Sequence, residues 1–127
     1  MFTSSKKRWL TCRVVKGYGL AKKLGYPTLN LDNPLILKNR ERGVYLSRLK
    51  IFSREYFGLL YYGPRLVFNE KKDILEIYVI GFAKNIYGST VKFQVLKYLR
   101  GIKSFKNTDE LKKQIALDFQ TASNLIK

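Results

Sequence analysis

Five segments rich in β-branched and aromatic residues, separated by short turn signals, constrain most strongly what this 127-residue chain can fold into. Glycine, proline, asparagine or aspartate stands in the intervening stretches, as in the short connections between antiparallel strands. This spacing predicts an all-β domain, either a barrel or a sandwich. The segments run from Trp9 to Val15, Gly43 to Phe52, Tyr56 to Tyr62, Ile74 to Phe82 and Thr90 to Leu99.

The C-terminal part of the chain has a different period. Apolar residues recur there every three to four positions, which places them on one face of a helix: Leu111, Ile115, Phe119, Ala122 and Ile126. Asn107 can cap the start of this helix, and Glu110 can reach back to it as in a capping box. We therefore predict a C-terminal helix packed through one apolar face.

The composition excludes several chemistries. The chain has no histidine and one cysteine, so it can have neither a Ser-His-Asp triad nor a histidine-ligated zinc site. Its 25 Lys and Arg against 9 Asp and Glu give a formal charge of +16, but the basic residues are spread along the chain. We expect any nucleic-acid binding to be nonspecific. Since no apolar run reaches the roughly 18 residues of a membrane span, we expect a cytoplasmic protein without a membrane partner.

Glu76 stands out among the nine carboxylates because it interrupts an apolar strand. Alternation places Glu76 on one strand face with Tyr78, while Ile77 takes the other face. A solvated or ion-paired glutamate would explain this position, and so would a general base whose pKa is raised by its surroundings. The other eight carboxylates are expected in solvent: Asp32, Glu41, Glu55, Glu70, Asp73, Asp109, Glu110 and Asp118.

A glycine-rich stretch follows the first predicted strand, and a short polar strand follows that stretch. The glycines would let backbone N–H groups approach phosphate oxygens, although a turn with solvated lysines explains the same residues. After Pro27, alternation directs Thr28 and Asn30 to one side. Their hydroxyl and amide oxygens suit Mg²⁺ when phosphates and water complete its coordination, but a polar sheet edge is an equally simple interpretation.

Together these segments resemble the riboflavin kinases of bacteria and eukaryotes. Residues 17–31 are similar to the glycine-rich loop and Pro-Thr-Ala-Asn motif of that family, and Glu76 occupies the position of its catalytic glutamate. The resemblance covers roughly residues 14–122, and its further matches follow in order: Gly43-Val44-Tyr45, Gly58, Gly63-Pro64-Arg65, Ile86-Tyr87-Gly88, Leu99-Arg100, Phe105 and the helix from Leu111 to Asp118.

The resemblance implies a Greek-key antiparallel β-barrel at about residues 8–103 and a helix at about 108–126, in one domain spanning 1–127. It implies transfer of the ATP γ-phosphoryl group to the primary hydroxyl of riboflavin, giving FMN and ADP, with Mg²⁺ or another divalent metal and Glu76 as base. The implied site has four nucleotide residues, two metal ligands and two flavin-side residues: Gly17, Gly19, Lys22 and Gly25; Thr28 and Asn30; Arg100 and Phe105. We expect a monomer.

The chain departs from the family pattern mainly on the flavin side of the implied site. Two hypotheses therefore stand beside the kinase: a diverged barrel that binds flavin or RNA without catalysis, and a kinase for another small hydroxyl compound. The departures are Leu20 and Ala21 in the loop, Tyr61 for the usual asparagine, Leu66-Val67 for Pro-Thr, Tyr78 for histidine, and Gly101-Ile102 without an acidic residue.

Overall fold

The computed structural model describes residues 7–17, 25–65 and 71–126, which form a closed six-stranded antiparallel barrel and a C-terminal helix. The strand order around the barrel is β1-β2-β5-β4-β3-β6, and β6 pairs with β1 to close it. Because β3, β4 and β5 form a meander whose ends are flanked by β6 and β2, the connectivity is a Greek key. The strands are β1 Leu10–Val15, β2 Thr28–Leu31, β3 Gly43–Ile51, β4 Arg54–Pro64, β5 Asp73–Val79 and β6 Thr90–Arg100.

Alternate residues of every strand fill the barrel interior. On β5, Leu75, Ile77 and Val79 point inward and are at most 1% exposed, while the residues between them face outward. Phe93 of β6 is fully buried in the same inner core. A short 3-10 helix, Pro34–Leu37, contributes the buried Leu37 to this core. The inner core is therefore built from the apolar half of each alternating strand.

A second core lies outside the barrel, under helix α1 (Thr108–Ile126). Ala122 of α1 is fully buried against outward-facing residues of three strands, and Phe119 and Ile126 pack beside it. The strand residues of this outer core are Val44, Leu46, Leu59 and Leu96. The apolar face predicted for the helix thus covers one side of the barrel.

The start of α1 is capped as the sequence predicts. The Asn107 Oδ1 atom accepts a hydrogen bond of 2.9 Å from the N–H of Glu110, and the Glu110 carboxylate accepts one of 3.0 Å from the N–H of Lys106. The return bond therefore reaches one residue further back than the capping box requires. Among the described residues, no helix is long and apolar enough to cross a membrane.

Strand ends differ by a few residues from the sequence-based expectations. Strand β5 stops at Val79 instead of reaching Phe82, because a turn follows in which Gly81 has a φ of +85°. Strand β4 begins at Arg54, two residues earlier than expected, because it pairs with β3 immediately beyond the tight turn at Phe52. These differences leave the faces of the central strand residues unchanged.

Candidate functional site

Strands β2 and β5 bring the three predicted reactive side chains together on the outer face of the barrel. Asn30 lies directly opposite Glu76 in the antiparallel register, and Thr28 lies opposite Tyr78. The Thr28 hydroxyl is diagonal to Glu76 and donates a 3.4 Å hydrogen bond to its carboxylate. Leu29 and Leu31 point into the barrel, which leaves Thr28 and Asn30 on the same side as Glu76. A hydroxyl, an amide and a carboxylate therefore form one cluster.

Gly17 lies against this cluster from the chain segment after β1. A Cβ atom added at Gly17 would be 2.3 Å from both Cγ and Nδ2 of Asn30, far inside ordinary contact distance. Gly17 is not among the glycines with positive φ, so close approach to Asn30, not a left-handed backbone, is what requires glycine here. The main chain at Gly17 and the amide of Asn30 are therefore closely packed at one point.

Glu76 has an electrostatic environment that favours its protonated form. Burial raises the pKa of Glu76 above its ordinary value of 4.5, while the positive charge of Arg65 and the hydrogen bond from Thr28 lower it. Burial is the largest of these causes. The carboxyl group can therefore take up a proton more readily than a solvated glutamate, as a general base requires.

Tyr61 of β4 is a neighbour of Glu76 that the sequence identified only as a departure from the family pattern. It lies directly opposite Glu76 in the β4–β5 register, and its hydroxyl donates a hydrogen bond to the carbonyl oxygen of Pro64. Burial raises the pKa of the Tyr61 phenol to about 12, and the nearby charge of Glu76 acts in the same direction. Its place beside Glu76 depends on strand register, which local sequence patterns do not specify.

The expectation that Asp118 is solvated is wrong. Asp118 is 6% exposed and accepts two hydrogen bonds of 2.8 Å from the guanidinium of Arg100, from Nε to Oδ1 and from Nη2 to Oδ2. Gln114 Nε2 donates a further bond of 2.9 Å to Oδ1. Asp118 stands one turn before the buried Ala122 and therefore shares its side of the helix. Arg100, assigned to the flavin side by resemblance, is thus held at its guanidinium by the helix.

Asp73 also differs from the expectation of a solvated carboxylate. Its side chain is 17% exposed and accepts two hydrogen bonds of 2.8 Å from Arg42, one on each carboxylate oxygen. This bidentate pair joins the start of β5 to the residue before β3. Fixed geometry of this kind anchors the barrel at the end of β4, since Asp73 lies opposite Pro64, the last residue of that strand.

The remaining predicted site residues either lie in irregular segments beside the strands or fall outside the described residues. Gly25 has a φ of +92°, which favours glycine, and stands three residues before Thr28. Phe105 is half-buried in the irregular segment between β6 and α1. Gly19, Lys22 and the departures Leu20, Ala21, Leu66 and Val67 lie outside the described residues.

The donor set at Thr28 and Asn30 suits a hard cation. The described residues include no group of three or more histidine, cysteine, aspartate or glutamate side chains that could hold a metal alone. Neutral oxygen donors beside one carboxylate match Mg²⁺, which keeps several waters and takes its remaining ligands from phosphates. The Thr28 hydroxyl can bind a cation through its oxygen lone pairs while its O–H continues to donate its hydrogen bond to Glu76. The residues present therefore fit a Mg²⁺–phosphate complex.

A comparison with family models matches residues 5–126 to the riboflavin kinase family. Among curated relatives, the bifunctional riboflavin kinase/FMN adenylyltransferase of Haemophilus influenzae is 33% identical over 87% of this chain and 36% of its own length. The RNA-binding riboflavin kinase RibR of Bacillus subtilis is 31% identical over 83% of this chain and 45% of its own length. The chain thus spans less than half the length of these relatives.

The fold also has solved relatives. The crystal structure of riboflavin kinase from Trypanosoma brucei superposes with a TM-score of 0.67, covering 98% of this chain and 82% of that one. Its sequence identity of 22% supports likeness of fold alone. The Greek-key barrel with a C-terminal helix therefore agrees with the fold expected from the sequence motifs.

Proposed function

This chain belongs to the riboflavin kinase family, and on that premise we propose that it transfers the γ-phosphoryl group of ATP to the primary hydroxyl of riboflavin. The products are FMN and ADP. The observation that carries the proposal is the meeting of Thr28, Asn30 and Glu76 on one face of the barrel, although they come from separate strands. Phosphoryl transfer needs a base at the acceptor hydroxyl and a metal ion at the phosphates; this cluster offers a carboxylate for the first and two neutral oxygen ligands for the second.

Glu76 acts as the general base in this proposal. The acceptor hydroxyl gives its proton to the Glu76 carboxylate as its oxygen bonds to the γ-phosphorus, and the bond from that phosphorus to the ADP oxygen breaks. The raised pKa of Glu76 makes the carboxylate a better proton acceptor than an exposed glutamate. The hydrogen bond from Thr28 keeps the carboxylate oriented before the proton arrives.

Thr28 and Asn30 would hold Mg²⁺ or another divalent ion together with ATP phosphates. Bound there, the ion would neutralise charge that develops on the transferring phosphoryl group. Gly17 lets the main chain reach the same point, and Gly25 begins the approach to Thr28 from the other end of the loop. We include Gly19 and Lys22 as phosphate-binding residues because of their positions in the glycine-rich motif.

The acceptor side of the site lies beyond Glu76, toward Arg100 and Phe105. The guanidinium of Arg100 is engaged by Asp118, so its proposed contribution is to fix the adjoining chain, while Phe105 offers an aromatic ring to the flavin. The cytoplasmic location and monomeric state expected from the sequence remain predictions. So does the nonspecific character of any nucleic-acid binding.

The test is FMN formation by the purified chain with riboflavin, ATP and Mg²⁺. Glu76→Gln keeps the shape of the side chain and removes the base, so we expect kcat to fall by about 10²–10⁴-fold. Glu41→Gln makes the same chemical change at an exposed position before β3 and should keep the activity of the unmodified chain. Equal activity of the Glu76→Gln variant and the unmodified chain would refute the role of Glu76.

The outcome also separates the kinase from the alternatives. No FMN formation, combined with RNA binding that persists at near-physiological salt, would favour an RNA-binding barrel without catalysis. The Bacillus subtilis relative is named for RNA binding together with riboflavin kinase activity. RNA binding that disappears at modest salt would reflect the charge of +16 alone. Phosphorylation of another small hydroxyl compound in preference to riboflavin would support the diverged kinase.

A further inference from the structure

One row of directly paired residues crosses five strands of the barrel and gives the site two distinct sides. Glu76 lies inside this row, with Asn30 on one side and Tyr61 on the other. The remaining members follow beyond Tyr61 at the strand spacing of about 4.8 Å. In strand order the row is Asn30 of β2, Glu76 of β5, Tyr61 of β4, Val44 of β3 and Arg100 of β6.

The row indicates where the acceptor binds. In phosphoryl transfer the attacking and leaving oxygens lie roughly in line on opposite sides of the phosphorus. The metal and phosphate groups belong to the side of Asn30, and the base must touch the acceptor hydroxyl. The acceptor therefore extends from Glu76 on the side of Tyr61. Beyond Tyr61 the row passes under helix α1, because Val44 lies in the outer core and Arg100 is bonded to Asp118.

An irregular segment, Gly101–Phe105, borders that side of the row. A Cβ atom at Gly63 would be 2.7 Å from Cδ1 of Ile102 and 3.3 Å from the hydroxyl of Tyr61. Ile102 is therefore packed against the chain at Gly63, next to the tyrosine that neighbours Glu76. Because the segment has no strand or helix hydrogen bonds of its own, its position depends on side-chain contacts.

Helix α1 supplies those contacts through a connected set of charged and polar groups. Asp118 binds the guanidinium of Arg100, whose Nη1 atom also donates a 2.9 Å bond to the carbonyl of Gly101. Gln114 donates to Asp118 and accepts a 3.0 Å bond from Nζ of Lys103. The segment is thus attached to the helix at two points, at Gly101 through the guanidinium of Arg100 and at Lys103 through Gln114.

We propose that Asp118 and Gln114 are positioning residues for the acceptor: they hold Gly101–Phe105 as the wall of the riboflavin subsite without touching the reacting atoms. The proposal rests on the proposed function for the identity of the acceptor. It assigns to the helix a role in substrate affinity in addition to covering the outer core. A purely structural ion pair would alter stability without distinguishing riboflavin from ATP.

The test compares riboflavin binding with ATP kinetics in an Asp118→Asn variant. We expect the Kd for riboflavin, followed by its fluorescence in the presence of ADP and Mg²⁺, to rise about tenfold, while the KM for ATP stays within about twofold. Asp109→Asn makes the same change at an exposed position in the first turn of the helix and should leave both constants unchanged.

A second variant keeps the proposal testable if loss of the buried carboxylate prevents folding. Gln114→Ala leaves the Arg100–Asp118 pair in place and removes the link to Lys103, so a smaller rise in the riboflavin Kd is expected. An unchanged riboflavin Kd, or equal changes for riboflavin and ATP, would overturn the proposal.

Failure of the proposed function has a different signature. If the unmodified chain binds riboflavin but forms no FMN, the kinase activity is refuted, while the effect of Asp118→Asn on riboflavin binding still decides the positioning role. If the unmodified chain does not bind riboflavin at all, both proposals fail.

Discussion

Replacing Gly17 with alanine should impair catalysis while leaving the fold almost unchanged. The added Cβ would lie 2.3 Å from two atoms of the Asn30 amide. Ordinary contact begins at about 3.4 Å, so the amide must retreat by about 1 Å. The backbone at Gly17 does not have positive φ, and the Asn30 amide is the end of a flexible side chain, so little stability is lost.

A displacement of about 1 Å in a positioning group can cost about 10²-fold in rate. We therefore expect Gly17→Ala to lower kcat/KM about 100-fold and to raise the Mg²⁺ concentration needed for half-maximal activity. The assay is initial-rate FMN formation over a range of Mg²⁺ concentrations, with the melting temperature recorded for each variant. The melting temperature should stay within about 4 °C of that of the unmodified chain.

A double-mutant cycle tests whether the effect passes through Asn30. In an Asn30→Ala background the amide is gone, so Gly17→Ala should have little further effect. Full activity of the single Gly17→Ala variant would refute the close packing as a functional constraint. An undiminished additional loss in the Asn30→Ala background would show that Gly17 acts through other atoms.

Three further predictions follow from the same cluster and from the barrel interior. Because its pKa is raised in the folded chain, Glu76 keeps its proton to higher pH there than in the unfolded chain, so its contribution to stability falls as the pH rises above about 4.5. The difference in free energy of unfolding between Glu76→Gln and the unmodified chain, measured in urea, should therefore grow in favour of the variant from pH 4 to pH 8. A difference that does not change with pH would contradict this prediction. Thr28→Val should raise the Mg²⁺ concentration needed for half-maximal activity, and Thr28→Ser should leave it largely unchanged, because only serine keeps the hydroxyl that bonds to Glu76; an equal rise in both variants would exclude the hydroxyl as the cause. Gly58→Ala would place a Cβ 2.6 Å from Cγ2 of Ile77 and should destabilise the fold by about 1–3 kcal/mol, as measured by thermal unfolding. Steady-state kinetics should show no selective change in the KM for either substrate. An unchanged melting temperature would refute the tight packing.

Local patterns in the sequence were sufficient for the long strands, the C-terminal helix and the faces of the central strand residues. Alternation predicts Glu76 and Tyr78 on one face of their strand and Ile77 on the other face, and the structure has that arrangement. The capping residues Asn107 and Glu110 act at the start of the helix. Such features depend on backbone geometry over a few residues, which the neighbouring side chains determine.

Other features could not be found locally because they depend on pairing between distant strands. Tyr61 reaches Glu76 only through the β4–β5 register, and Gly17 meets Asn30 only after β1 and β2 have paired. Asp118 was assigned to solvent because it falls between apolar helix positions, yet it lies close enough to their face to be covered by Arg100. Each residue advances the helix by about 100°, so a residue beside the apolar face can be buried when an oppositely charged side chain, here Arg100, lies next to it.

The sequence by itself determined an all-β domain with a C-terminal helix, the absence of histidine chemistry, and one carboxylate set in an apolar strand. These follow from composition and from periods of two and 3.6 residues. The tertiary structure decided which strands are neighbours, and therefore that Thr28, Asn30 and Glu76 meet and that Arg100 is held by Asp118. Long-range register and burial set these contacts, because the free energy of closing the barrel depends on all six strands together.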